Sequence, residues 1–378
     1  MQTSALKPLA LAVSAVMLAA CGDSSDRPDL TPPPVTGEDF RQQVINAISH
    51  TETTHFNLTT GEIVDASAGG EWHIAFQRVN VKLNSGASGD GAVAGALGAA
   101  QAEFYDGDEP VPSVFLNASA DQQLDKLLQG FSQPGVRDWK QDTIVNEFGA
   151  SWYIYDYSSP IGQINPNPDN GWLVRSGTGD SYARVRVTEL DFPTRTGNGI
   201  VAFTLSFDVQ TPGASQFTQT ASFTGSLPAA GELCFDFDAN EAVECVGTAW
   251  DIKLGYSGRG AYLRTNSGPS GEGQGAAFGP FAWSDLQAYT SATTSPEGAS
   301  LSPRYTPDNT GGIFVDQSWY AYGLQGGHQL WPNYRVYLID TDANDAEAPV
   351  YALQIIGYYG ADGVSGQPVI RWRQVEWE

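Results

Sequence analysis

The chain has 378 residues, 43 of them acidic and 19 basic, with a formal net charge of −24. So acidic a surface excludes nucleic acid and anionic lipid headgroups as electrostatic partners. An aromatic content of 11% with 42 Gly and 22 Pro is that of a turn-rich β protein, not of a disordered chain.

Lys7 precedes an apolar run from Leu9 to Ala20. The run is too short to span a bilayer and predicts a secretory signal over residues 1–20. It ends Leu18-Ala19-Ala20-Cys21-Gly22, which resembles the lipobox of bacterial lipoproteins. The small residues admit an extended chain to a peptidase, and the Cys21 thiol is the nucleophile for diacylglycerol. A plain signal peptide cut at an Ala-x-Ala site is the alternative. Residues 22–37 are polar and Pro-rich, so 21–37 read as lipidated cysteine plus tether. The Gly directly after Cys21 favours the outer membrane, facing either the periplasm or the exterior.

Phe40, Val44, Ile45 and Ile48 have helical spacing, and Ser119-x-x-Gln122 predicts a capping box ahead of Leu124, Leu127 and Leu128. Ser284 is a candidate cap before Leu286 and Tyr289. Elsewhere alternation dominates. Val201, Phe203, Leu205, Phe207 and Val209 share one strand face, and Val369–Trp377 reads as a shorter, mixed edge strand. The expectation is all-β with a few short helices. Cys234 and Cys245 lie symmetrically about a predicted turn at Ala239-Asn240, which predicts a disulfide across a hairpin. A metal or redox pair lacks both the C-x-x-C spacing and a nearby His.

The chain also repeats itself. Phe56–Val64 aligns on Phe235–Val243, Trp72-His73-Ile74 on Trp250-Asp251-Ile252, and Asn84-Ser85-Gly86-Ala87-Ser88-Gly89 on Asn266-Ser267-Gly268-Pro269-Ser270-Gly271. Ser151-Trp152-Tyr153-Ile154-Tyr155 aligns on Ser318-Trp319-Tyr320-Ala321-Tyr322. Blocks recurring in one order predict two tandem β domains, 38–222 and 223–378.

In order and content these blocks resemble the HmuY family of haem-binding lipoproteins, once per copy. The resemblance implies an all-β domain whose loops or strand ends clasp one haem. It implies a role in iron acquisition, with haem captured outside the cell and passed to an outer-membrane transporter. Haem iron takes His, Met, Cys or Tyr, and both Met residues, Met1 and Met17, fall in the predicted signal. His50 and His55 read as solvated, and His73 as structural or solvent-facing on the first sheet. His328 lies in Gly326-Gly327-His328-Gln329-Leu330-Trp331-Pro332, where glycines let a loop approach a flat ligand. It is the candidate iron ligand, with Tyr322, Trp331 and Tyr334 as candidates to cover the porphyrin. The first copy has Gln163 at the matching place. The family's paired His has no counterpart in residues 280–327; a Tyr such as Tyr289 or Tyr322 is a candidate second ligand, a choice the sequence leaves open.

Other chemistry is not legible. Asp340–Asp345 and Asp236–Asn240 echo a calcium loop but lack its glycine and closing glutamate, and read as acidic turns. The Gly-rich stretches lack a P-loop lysine, and no nucleophile elbow or paired-His metal motif occurs, so no catalytic residues are expected. A structural or adhesion lipoprotein without haem, and a glycan-binding envelope module using exposed aromatics, stand as alternative readings.

Overall fold

The computed structural model describes residues 35–36 and 39–377; the predicted signal and Cys21 lie outside them. The described residues are mainly β, with short helices at Pro112–Asn117, Leu124–Leu128, Trp283–Leu286 and Ile313–Asp316. None is long and apolar enough to cross a membrane. The capping box forms: the Ser119 N–H donates to Gln122 Oε1 at 3.0 Å. Ser284 sits inside its helix, whose cap residue is Ala282.

Alternation places the core, with local corrections. In the strand Ile200–Gln210, Phe203, Leu205, Phe207 and Val209 are buried, but Val201 is 45% exposed and Ile200 is buried instead. The pairing register against Gln219–Leu227 shifts between Ile200 and Phe203, and such a bulge turns the residues beyond it to the opposite face. The helix expected around Phe40–Ile48 is a strand, Arg41–Val44, paired with Ser365–Gln374. That partner is flanked on its other side by Val350–Tyr359, so it is internal rather than an edge. In both places a partner distant in sequence overrides local spacing.

The sheets do not follow the expected division at 222/223. That boundary falls inside Gln219–Leu227, where Ser222 and Phe223 both pair into the preceding strand. One sheet runs Arg41–Val44, Ser365–Gln374, Val350–Tyr359, Val336–Asp340, Ala94–Ala99. The other runs Gln219–Leu227, Ile200–Gln210, Tyr182–Pro193, Asn170–Arg175, Ala276–Ala282. The strand order is the same, but each sheet joins strands from the early part of one repeat to strands from the late part of the other. Two four-stranded sheets, from Thr54–Leu83 and Gly231–Thr265, also share one order. The result is a lobe formed by residues 39–140 with 309–377, and a contiguous lobe, 146–308, set into it. The largest core clusters segregate accordingly, one built around Phe56, Tyr337 and Trp372 and the other around Trp152, Phe203 and Leu254.

The chain crosses between lobes at two strands that pair with each other, Thr143–Val145 and Asn309–Gly311. A buried aspartate precedes each. Asp142 Oδ2 accepts from the Leu83 N–H at 3.0 Å and the Ser88 hydroxyl at 2.6 Å, and the Asp142 N–H donates to Ser85 Oγ at 3.2 Å. Asp308 accepts from the Thr265 hydroxyl at 2.8 Å and the Ser270 hydroxyl at 2.6 Å, and its N–H donates to Ser267 Oγ at 2.9 Å. Asn84 and Asn266 brace the same loops, donating to the carbonyls of Trp72 at 2.9 Å and Trp250 at 2.8 Å. The repeated Asn-Ser-Gly-x-Ser-Gly block is thus a receptacle for one carboxylate. Burial pushes both carboxyls up, against the pull of these hydrogen bonds.

Cys234 and Cys245 are disulfide-bonded, with Cα atoms 5.3 Å apart. The hairpin register differs from the expected one: Cys234 pairs with Val243, so the bond runs diagonally to a residue past the ladder. Asn240, in the left-handed region at φ 55, belongs to a four-residue loop and sets that register.

Two outcomes test this arrangement. A fragment of residues 143–308 should unfold cooperatively, whereas 38–222, lacking the partners of Ala94–Ala99, should be insoluble or unfolded; a well-folded 38–222 fragment would refute the grouping. Asp308→Ala strands a buried hydroxyl pair and the Thr265 N–H, each costing about 1–3 kcal/mol, so denaturant titration should show a loss of about 3 kcal/mol or more. A change below about 1 kcal/mol would remove Asp308 from this role.

Candidate functional site

Three hairpin ends of the discontinuous lobe, with the loop after Arg41–Val44, surround a cleft of about 630 Å³, a size usual for small-molecule sites. Tyr320 and Tyr322 project from the strand Tyr320–Tyr322, and Leu330 from its partner Leu330–Pro332. Tyr358 and Tyr359 come from the end of Val350–Tyr359, and Gln77 to Asn80 from the turn between Ile74–Gln77 and Asn80–Leu83. His50 and His328 both line it. The walls are fixed by hydrogen bonds: Tyr359 Oη accepts from the Leu330 N–H at 2.9 Å, the Trp319 indole N–H donates to the Val79 carbonyl at 3.1 Å, and Gln77 Nε2 donates to the His50 carbonyl at 3.0 Å.

His328 sits on an exposed loop whose Gly326 and Gly327 have φ of 77° and 71°, the left-handed turn that glycine permits. Its Nδ1 lies 2.5 Å from Tyr322 Oη. When Nδ1–H donates to that oxygen, Nε2 keeps its lone pair, the arrangement that orients a metal-binding imidazole. Burial pushes the Tyr320 and Tyr358 hydroxyls up, so they remain neutral phenols. Of these groups, a neutral imidazole is a better metal donor than a neutral phenol.

Of the residues singled out from the sequence, the cleft unites His328 and Tyr322. Trp331 does not line it. Successive strand residues face opposite ways, so Trp331 and Ala321 pack with Phe104, Phe115 and Tyr334 on the other side. Tyr334 is buried in that cluster, and Tyr289 packs against Phe281 in the contiguous lobe. The repeat register also moves. Ile164 pairs with Tyr155 as Leu330 pairs with Tyr322, so Gln163 corresponds to Gln329, and Gly162 occupies the place of His328. Gln163 itself donates to Asp191 at 2.9 Å.

His50 is the residue that sequence reasoning set aside. Nothing in its polar surroundings distinguished it; only pairing of the N-terminal strand with Ser365–Gln374 carries it beside the C-terminal hairpins. His73 is buried, its Nδ1 accepting from the Leu58 N–H at 3.1 Å, and burial holds its pKa down. His55 packs edge-on against Trp72, with ring centroids 4.7 Å apart. Both are structural.

Other concavities among the described residues, of about 540 and 570 Å³, contain neither His nor Tyr. Carboxylate oxygens of Asp236, Asp238 and Asp251 gather within 4.8 Å of one another. Asp251 accepts from the Gly177 and Phe237 N–H groups, and Asp236 from those of Asp238 and Ala239, so much of this trio serves the backbone. Burial pushes the Asp251 carboxyl up to about 7.

An all-β architecture with an aromatic, histidine-bearing cleft defines the class. Within it, residues 49–204 match the model of the HmuY family, described as HmuY protein. No curated protein matches the chain. Among solved structures, a HmuY-like heme binding protein of Bacteroides vulgatus ATCC 8482 matches at 11% identity and a TM-score of 0.28, covering 89% of this chain and 91% of that one.

Proposed function

We propose that this protein is an envelope lipoprotein, held by diacylglycerol on Cys21 at the outer membrane, that captures haem for delivery to an outer-membrane transporter. The observation that carries the reading is the meeting of His50, His328 and four tyrosines in one cleft. Imidazole nitrogens suit haem iron, and aromatic walls suit a porphyrin face, whose burial contributes roughly 25 cal/mol per Å² of apolar area. His328, oriented by Tyr322, is the first iron ligand and His50 the candidate second, replacing Tyr289. The haem iron would supply redox and axial-ligand chemistry; the protein residues bind and orient. The role is binding, not catalysis.

Haemin titrated into the soluble, unlipidated form should shift the Soret band with one haem per chain. His328→Ala should change the ferric visible bands more than it weakens affinity, because apolar burial persists. No Soret shift at micromolar haemin would refute haem capture, and unaltered bands in His328→Ala would remove that residue as a ligand. For the anchor, Cys21→Ser should release the protein from the membrane fraction or leave its signal uncleaved; a membrane-bound, palmitate-labelled mutant would contradict lipidation there.

A further inference from the structure

We propose that the cleft selects a ligand bearing a carboxylate on an extended apolar ring system, and that Arg78 is the anchor for that carboxylate. The proposal rests on the haem reading and adds to it which end of the ligand the protein recognises.

The first observation is conformational. Gln77 pairs with Asn80, so Arg78 and Val79 form a two-residue hairpin turn. Arg78 has φ 55. A positive φ at the first turn position is the place for glycine, and the matching hairpin of the other lobe, closed by Ser257 and Gly260, has Gly258 there at φ 58. A bulky residue held in this region is strained, and such strain gathers where a side chain is needed.

The second observation is the state of the guanidinium. Nη1 donates to the carbonyls of Ile48 and Ser365, each at 3.2 Å, and Nη2 donates to Ser365 Oγ at 2.8 Å. These bonds fix the group by one edge. They leave Nε–H and the second Nη2 proton, the side edge whose spacing matches the two oxygens of a carboxylate. Gly366 lets the arginine lie close: a Cβ there would sit 2.9 Å from Nη1.

The third observation is charge. The chain carries 43 acidic residues, yet none lines this cleft. Among the described residues, the ion pairs involve Lys140, Arg184, Lys253 and His73, and no carboxylate lies within 4.0 Å of Arg78. An arginine without an acidic partner, in so acidic a molecule, gives the cleft a local sign opposite to its surroundings. Gln77, Asn80 and Ser365 add polar groups around it, whereas His328 and Tyr322 belong to a different hairpin. The two chemistries suit one ligand with a charged edge and a metal-bearing, apolar centre.

The test compares protoporphyrin IX and haemin with their dimethyl esters, by fluorescence quenching and Soret titration, on the wild-type protein, Arg78→Gly and Arg78→Gln. Arg78→Gly restores the residue the turn favours, so its Tm should hold or rise. The wild type should bind each diacid roughly tenfold or more tightly than its ester, the factor that goes with losing one charge-assisted pair. Both variants should bind acid and ester alike, at the wild-type ester affinity. Equal binding of acid and ester by the wild type, or discrimination that survives in both variants, overturns the proposal while haem capture stands. Discrimination with protoporphyrin but no axial-ligand bands with haemin supports the anchor and removes iron ligation. Binding of none of the four porphyrins overturns both.

Discussion

Two buried carboxylates stand where the chain changes lobes, and the remaining architecture is arranged around them. Asp142 and Asp308 each insert into a loop that offers a backbone N–H and hydroxyl donors in place of water, one hydroxyl for Asp142 and two for Asp308. Burying a carboxylate is costly unless hydrogen bonds replace its water: both oxygens of Asp308 are engaged, whereas Asp142 is held through Oδ2 and its buried Oδ1 has no partner among the described residues. Each immediately precedes a crossing strand, and the crossing strands pair with one another. The carboxylates therefore fix where one lobe ends and the other begins, and hence which sheet every later strand can join.

The cleft is a consequence of that exchange. Its wall residues come from the segment before the inserted lobe, at His50 and Gln77 to Asn80, and from the segment after it, at Tyr320 to Leu330 and Tyr358 to Ser365. Neither segment encloses it alone. The inserted lobe repeats the same strand order and keeps Tyr153 and Tyr155 on the matching hairpin, but Gly162 stands in the place of His328 and Gly258 in the place of Arg78. The lobes thus share a framework and differ in the side chains set on these two hairpin ends. Framework is dictated by apolar alternation, which many substitutions preserve. Site chemistry depends on single donors, which one substitution removes.

Misread elements share a cause. Residues 40–48 have helical spacing, and Val369–Trp377 has the mixed pattern of an edge, yet the two pair with each other inside a sheet. Trp331 neighbours His328 in sequence, but strand alternation turns it into the Phe104–Phe115 cluster. The Cys234–Cys245 bond was predicted from symmetry about the wrong turn centre; two residues of diagonal offset still bring the Cα atoms to 5.3 Å, within reach of a disulfide.

By itself the sequence determined the β class, the repeated order of strands, the loops of the Asn-Ser-Gly-x-Ser-Gly blocks, and the nearness of His328 and Tyr322 along the chain. These are local properties, set by alternation, turn chemistry and residues a few positions apart. Only the tertiary structure decided that Ala94–Ala99 joins Val336–Asp340 rather than its own repeat, that Asp142 and Asp308 fill the loops the repeats leave open, and that His50 and Arg78 line the same cleft as His328. Strand pairing between distant segments is set by burial summed over both faces of a sheet and by backbone hydrogen bonds common to all residues. A one-dimensional pattern records which strands can pair, but not which of two equivalent partners each strand takes.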